Sequence, residues 1–398
     1  MTIADAADEN RPGRFPAVSL LFCLGCVAAA LALFYPPVRE GLDRIEYWTA
    51  DWRTALLADR VPEKHERVIV VVFDPATFDG GVISPIPRDT HAQVLQTLDA
   101  MGPAAIGLDF YFVASQGPDK DGAMLETLHK VTTPLVVGAI DQHTTEFTEK
   151  QQAYQERFLA EAGRPAGYLA LKYDPGHIVR RTSPPLQESA FQESFARQVA
   201  MASGAELKGP GASSAAMRVA WVLGAGYDVQ PFLTISAKEL LPGADAARLE
   251  ELERRIKGNV VLTGIDMPNS DRHDTALSVW TDEKMLGVLI HAHIIAQLLD
   301  GRYFIELRGE KKWGYLLAVA LIGFSLGWVL RGRRATFLNL TFATAVLVAI
   351  DAACYYFLRI VLPFTLSLYV WFIGVAAGQH LRTLVQWAGA RGEPAAAA

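Results

Sequence analysis

Four carboxylates recur at one kind of position. Asp74, Asp109, Asp141 and Asp266 each stand at or near the end of an apolar, largely β-branched run, at 68–73, 105–112, 134–140 and 259–265. In open α/β sheets ligands bind at the carboxyl edge of the strands, and carboxylates converging there can hold a divalent cation or a cationic ligand. The same residue type at a strand end also starts turns and caps helices. Asp74, followed by Pro75, reads as a turn residue. Asp109 differs, because Phe110, Tyr111 and Phe112 continue its strand and would bury it. A buried carboxylate needs a partner, and Arg88 is the candidate.

Arg88 lies in the segment PIPRDTH, 85–91, which opens a helical pattern. Backbone N–H groups at such a helix start can receive an anion. The alternative is an Arg88–Asp109 structural clamp with His91 packed on the helix. In the polar run 269–274, Asp271, His273 and Asp274 could ligate a metal, although alternating residues in a loop are a weak signal. His291 and His293 are two apart on a predicted helix and face different ways, so they do not form an i, i+4 zinc pair. Nucleophile-elbow, P-loop, dinucleotide-binding and kinase signatures are absent. No catalytic residue, metal or cofactor is assigned.

These residues need a scaffold. Apolar strands at 68–73, 105–112, 134–140 and 259–265 alternate with helical patterns at 88–101, 119–130, 188–203, 246–256 and 285–299. Fully apolar strands separated by helices predict an α/β domain, with a mixed, mostly parallel sheet covered by helices. The chain carries a net charge of −6 with its basic residues scattered, which excludes a nucleic-acid footprint. It has three cysteines, Cys23, Cys26 and Cys354, all in hydrophobic spans, so the domain folds without disulfides.

Four hydrophobic stretches, at 15–35, 313–330, 335–358 and 361–381, predict four transmembrane helices, one N-terminal and three C-terminal. The implied layout is a cytoplasmic segment 1–14, an extracytoplasmic domain 36–312 and a cytoplasmic tail 382–398. Arg11, Arg14, Arg331, Arg333, Arg334, Arg382 and Arg391 flank the spans on one side, which places that side in the cytoplasm. Asp351 lies inside the third span. An ionisable group there faces the bundle, and its partner is expected on the second or fourth span.

The blocks DWR from Asp51, VIVVVFD, PIPRDTHAQVLQTL, GPAAIGLDFYF, YDPGHIVRR from Tyr173, NVVLTGI, DRHDTALSV and GVLIHAHIIAQLLDG occur in this order. Together they resemble the type-two CHASE sensors, the cyclase- and histidine-kinase-associated sensory extracellular domains. Ala276 departs from that pattern, which commonly has Pro after Thr. The resemblance covers about 40–305 and implies a sensor in the bacterial inner membrane, with its domain in the periplasm or outside the cell. It also implies signal relay to a cytoplasmic cyclase or kinase. About 17 residues follow position 381, so that effector is expected in trans or on a longer chain. Expected partners are the lipid bilayer, a second copy in a homodimer, the effector and an extracytoplasmic ligand of unknown identity. Two alternatives remain: a scaffold subunit of a membrane complex, and an exported metal-dependent hydrolase using Asp109, Asp266, Asp271 and His273.

Overall fold

The computed structural model describes residues 16–141, 147–209, 216–226, 229–268, 270–330 and 333–392. The chain divides into two compact units, 54–304 and 1–53 with 305–398. The expected domain limits of 36–312 are wider than the first of these.

Helix α1 (Ala17–Ala32) is followed by α2 (Pro36–Leu57), bent from it by 79°. Pro36 and Pro37 explain the break: proline supplies no N–H to α1, restricts the residue before it, and suits the first turn of a new helix. At 1.5 Å per residue the sixteen residues of α1 extend about 24 Å, short of the ~30 Å hydrocarbon layer. The predicted first span is therefore a crossing only if the bent pair is one span.

The 54–304 unit is built on a six-stranded sheet. Its elements in chain order are β1 (Val68–Phe73), α3 (Arg88–Ala100), β2 (Ala105–Leu108), α4 (Pro118–Lys130), β3 (Leu135–Ala139), α5 (Glu149–Ala162), β4 (Ala166–Tyr168), α6 (Phe195–Ala202), β5 (Leu233–Ser236), α7 (Ala246–Ile256), β6 (Val260–Ile265) and α8 (Gly287–Asp300). Spatial strand order is β4-β3-β2-β6-β1-β5, and every pairing is parallel.

Both faces are sealed. Val68, Val70 and Val72 point into one apolar cluster with α6 and α8. Ile69, Val71 and Phe73 point into the other, with α3, α4, α5 and α7. The period-two alternation of a strand sends successive side chains to opposite faces, so a strand covered twice is apolar throughout. On the α8 face the approach is very close: a Cβ on Gly264 would lie 2.6 Å from Val288 Cβ. A smaller mixed sheet beside the main one joins Met285–Leu286, Arg272–Thr275, Ile178–Val179 and Tyr173–Asp174.

One boundary departs from expectation with a consequence for function. The second strand ends at Leu108, so Asp109 to Phe112 leave the sheet instead of extending it. Asp109 thereby sits at the sheet edge.

The other unit holds α9 (Gly309–Val329), α10 (Arg333–Leu358) and α11 (Phe364–Gly392), each long and apolar enough to cross a membrane. The three match the predicted C-terminal spans, although α11 continues past residue 381 to Gly392. Of the charge clusters used for orientation, Arg11, Arg14 and Arg331 and the side chains of Arg333, Arg334 and Arg391 lie outside what is described. Helices α9 and α11 meet backbone to backbone. A Cβ on Gly327 would lie 2.1 Å from Val375 O, and one on Gly378 would lie 2.2 Å from Phe324 O. Small residues allow this approach, and here the packing is within one chain.

Within this unit Arg53 of α2 makes an ion pair with Asp351 of α10 and donates to Glu46 at 2.9 Å. The Glu46 carboxylate accepts from the Phe364 and Thr365 N–H groups at 3.0 and 2.7 Å, capping α11. The partner of Asp351 is thus on α2, not on the second or fourth span as expected. Ile305–Glu306 pairs in parallel with Ile360–Val361 and ties the entry of α9 to the turn before α11.

Candidate ligand-binding cleft

Every parallel strand of the main sheet ends on the same edge, and a cleft of about 380 Å³ opens there. Asp109 follows β2, Ile140 and Asp141 follow β3, Leu169 to Leu171 follow β4, and Ile265 closes β6. The N-terminus of α8 and the small sheet supply the opposite wall, with Asp271, His273 and Tyr173. The topology therefore delivers residues distant in sequence to one place without any local motif.

Asp109 is in an unusual state. Burial, and then the nearby Asp271 carboxylate, push it up to about 7. A carboxyl group with that value is only half ionised at neutral pH. Asp141, at 6 % exposure, leaves its Oδ1 without a hydrogen-bond partner among the described residues.

Asp271 and His273 are also joined. The ring Nε2–H donates to Asp271 Oδ2 at 2.7 Å, and Nδ1 and the Tyr173 hydroxyl are hydrogen-bonded at 2.7 Å. The two bonds orient the ring across the cleft wall. His291 lies deeper on α8, against Phe195. Burial, reinforced by His273, lowers it to about 4, so it is neutral.

The remaining predicted residues lie elsewhere. Asp74 caps the short turn Pro75–Phe78, accepting from Thr77 N at 3.0 Å and from the Ser236 hydroxyl at 2.8 Å. Asp266 is half exposed and pairs with Arg272 at 2.7 Å. Asp274 faces Lys284 at 3.6 Å. Arg88 is not the partner of Asp109. It reaches Asp121 at 3.5 Å and the Ala114 carbonyl at 3.1 Å, and its guanidinium lies 4.3 Å from the centre of the Phe112 ring. The reason is strand alternation: Ile106, Leu108 and Phe112 face the layer of α3 that carries Arg88, so Asp109 lies on the other side. His91 packs among Phe73, Phe110 and Phe112, with burial and then Arg88 lowering it to about 3. That is a core histidine. His293, on the other side of α8, packs on Trp221 and Phe232 and is likewise held neutral, chiefly by burial.

The four residues of the hydrolase alternative do not converge, since Asp266 is spent on Arg272 outside the cleft. Among the described residues, no three His, Cys, Asp or Glu side chains are grouped so as to hold a metal ion. Sequence reasoning missed the aromatic part of the wall, Tyr111, Phe147 and Tyr173. Tyr111 was visible as part of the FYF run, but its direction depends on where β2 stops.

No curated protein and no solved structure matches the chain. The family profile of the CHASE2 domain matches residues 24–329, more than three quarters of the sequence. CHASE2 domains are sensory, not catalytic, modules of the extracellular type, and the three long apolar helices agree with a membrane setting. The chain, from α1 through the sheet to α9, belongs to the CHASE2 domain family.

Proposed function

We propose that the chain is a receptor of the bacterial inner membrane that binds its stimulus in the strand-edge cleft and relays the event across the bilayer. The observation that carries this reading is the cleft itself. It gathers ionisable side chains, one of them titrating near 7, at the carboxyl edge of a sheet whose faces are otherwise closed. In this reading the 54–304 unit faces the periplasm or the outside, and the effector is a cytoplasmic cyclase or kinase. A ligand that contacts both walls biases the position of α8 relative to the strand ends, and only such differential contact can shift an equilibrium between two states. A homodimer belongs to the same reading, because a two-fold axis lets small helix shifts be read between copies.

The test is a fusion of an adenylate cyclase catalytic domain after Gly392. Ala170→Trp, which fills the cleft from an exposed position, is expected to fix cyclase output at one level whatever extract is applied outside. Glu250→Gln, on the surface of α7, leaves the response intact. A cleft-filled receptor that still responds like the parent would sink the reading.

A further inference from the structure

We propose that the ligand of this cleft is a small organic cation bearing an ammonium group, an inference that rests on the cleft reading above. Three features point the same way.

The first is charge. Of the sixteen described residues that line the cleft, three are aspartates and none is Lys or Arg. An anion entering would meet Asp109, Asp141 and Asp271, with no Lys or Arg among the described lining residues to receive it.

The second is the sense of the unfilled hydrogen bonds. Asp141 Oδ1 is buried and unpartnered among the described residues, on a side chain 6 % exposed. His291, 4 % exposed, leaves Nδ1 unpartnered in the same way. The other side of that ring is engaged by the Leu169 backbone, which only an N–H can satisfy. In a neutral imidazole Nδ1 is then a bare lone pair. Both orphans accept, so the missing partner donates. Buried acceptors left open are costly, and they are retained where a ligand completes them.

The third is the wall. Tyr111 and Phe147 stand edge to face with ring centres 5.4 Å apart, and Tyr173 continues the aromatic surface. Aromatic faces attract ammonium groups, and a cleft near 380 Å³ lies at the small end of ligand sites. A bare divalent ion needs several oxygen ligands at one point, which the aspartates here do not provide. The N-terminus of α8, which would favour an anion, is already faced by Asp271, 3.7 Å from the place a Gly287 Cβ would take.

Asp109 then works as a counter-ion held in reserve. It is faced by Asp271, Asp141, His273 and His291, and an arriving cation favours its ionised form. Binding releases a proton, so affinity rises with pH through about 7.

The experiment uses the full chain in nanodiscs and calorimetric titration with 1,4-diaminobutane, tetramethylammonium, 1,4-butanediol, succinate and calcium chloride, with hydrogen exchange to locate the effect. At least one ammonium probe is expected to bind, tighter at pH 8 than at pH 6. It should protect the segments after β2 and β3 and the start of α8, while butanediol, succinate and calcium do not bind there. Asp141→Asn is expected to weaken that binding at least tenfold without lowering its unliganded melting temperature, and Asp109→Asn to remove the pH dependence. Binding of succinate, butanediol or calcium in place of ammonium, mapped to the same segments, overturns the cationic ligand and leaves the cleft as a ligand site. Failure of all five probes to protect those segments overturns both.

Discussion

Arg53 grips Asp351 through both carboxylate oxygens, with Nη1 2.8 Å from Oδ1 and 3.0 Å from Oδ2. The pair is almost completely shielded, and Arg53 also reaches the Leu362 carbonyl at 3.2 Å. One guanidinium thus ties α2, α10 and the turn before α11. Breaking a buried pair by removing one partner leaves an uncompensated charge, which typically costs about 3–5 kcal/mol. Arg53→Leu and Asp351→Leu are each expected to lower the melting temperature of the chain in nanodiscs. The double variant should recover part of the loss, because neither charge is then stranded. Two neutral single variants would show the pair to be incidental.

Arg88 supports the fold through Asp121 and the aromatic rings beneath it. Although burial works against its charge, Asp121 is held below its ordinary value by hydrogen bonds from Ser115, Gln116 and Tyr154 and by Arg88. Arg88→Ala is expected to cost about 1.5–3 kcal/mol, the range for hydrogen bonds to charged groups. Asp121→Asn should cost less, and Asp109→Asn should cost nothing of this kind. Chemical denaturation of the three variants checks the ranking. An Asp109→Asn loss equal to that of Arg88→Ala would restore the clamp that the sequence suggested.

Asp109 should leave a signature in the pH dependence of stability. Its folded value of about 7 lies above the ~3.9 of an unfolded chain, so the native state holds its proton more tightly. The contribution is full below about pH 4 and fades as pH rises through about 7. His91 and His291, lowered to about 3 and about 4, act in the opposite sense by losing stability as pH falls below ~6.5. The informative quantity is therefore the difference between parent and Asp109→Asn. Melting temperatures at pH 5 and pH 8 should show the parent losing more than the variant over this interval. Parallel profiles would show that Asp109 is ionised throughout.

The seam between α9 and α11 predicts a steric penalty at one atom. Gly327→Ala places a Cβ against the Val375 carbonyl, and backbone cannot rotate away as a side chain can. Overpacking of this sort costs about 1–3 kcal/mol. Gly314→Ala, on the same helix with nothing within 4 Å, is the control and should be neutral or slightly stabilising. Equal melting of the two variants would mean that the helices part easily.

The sheet was legible because doubly covered strands leave continuous β-branched runs, and 68–73 and 259–265 are nearly the observed β1 and β6. Helix α7 was legible end to end because charged and apolar residues alternate at helical spacing. The end of β2 was not, since Phe110 to Phe112 have high strand propensity and only tertiary packing decides that they leave the ladder. That boundary sets Asp109 at the sheet edge, while strand alternation alone already turns it away from Arg88. Asp109, Asp271 and His273 were visible as candidates from their positions at strand and loop ends. The hydrolase alternative already grouped them; what the sequence did not show is that Asp266 stays outside the group and Asp141 enters it, because that depends on how the strand ends pack. The partner of Asp351 was hidden for a different reason. Arg53 lies in an amphipathic helix that reads as soluble, almost 300 residues earlier.

The glycines that join α9 to α11 also limit how this membrane unit can move. Sliding or twisting one helix against the other would drive a backbone carbonyl into the facing chain, with no side chain between them to yield. Whatever passes along these two rods must shift them in step, as a shared tilt or a shared vertical stroke. Independent movement of either rod, by slip or by spin, is what this architecture forbids.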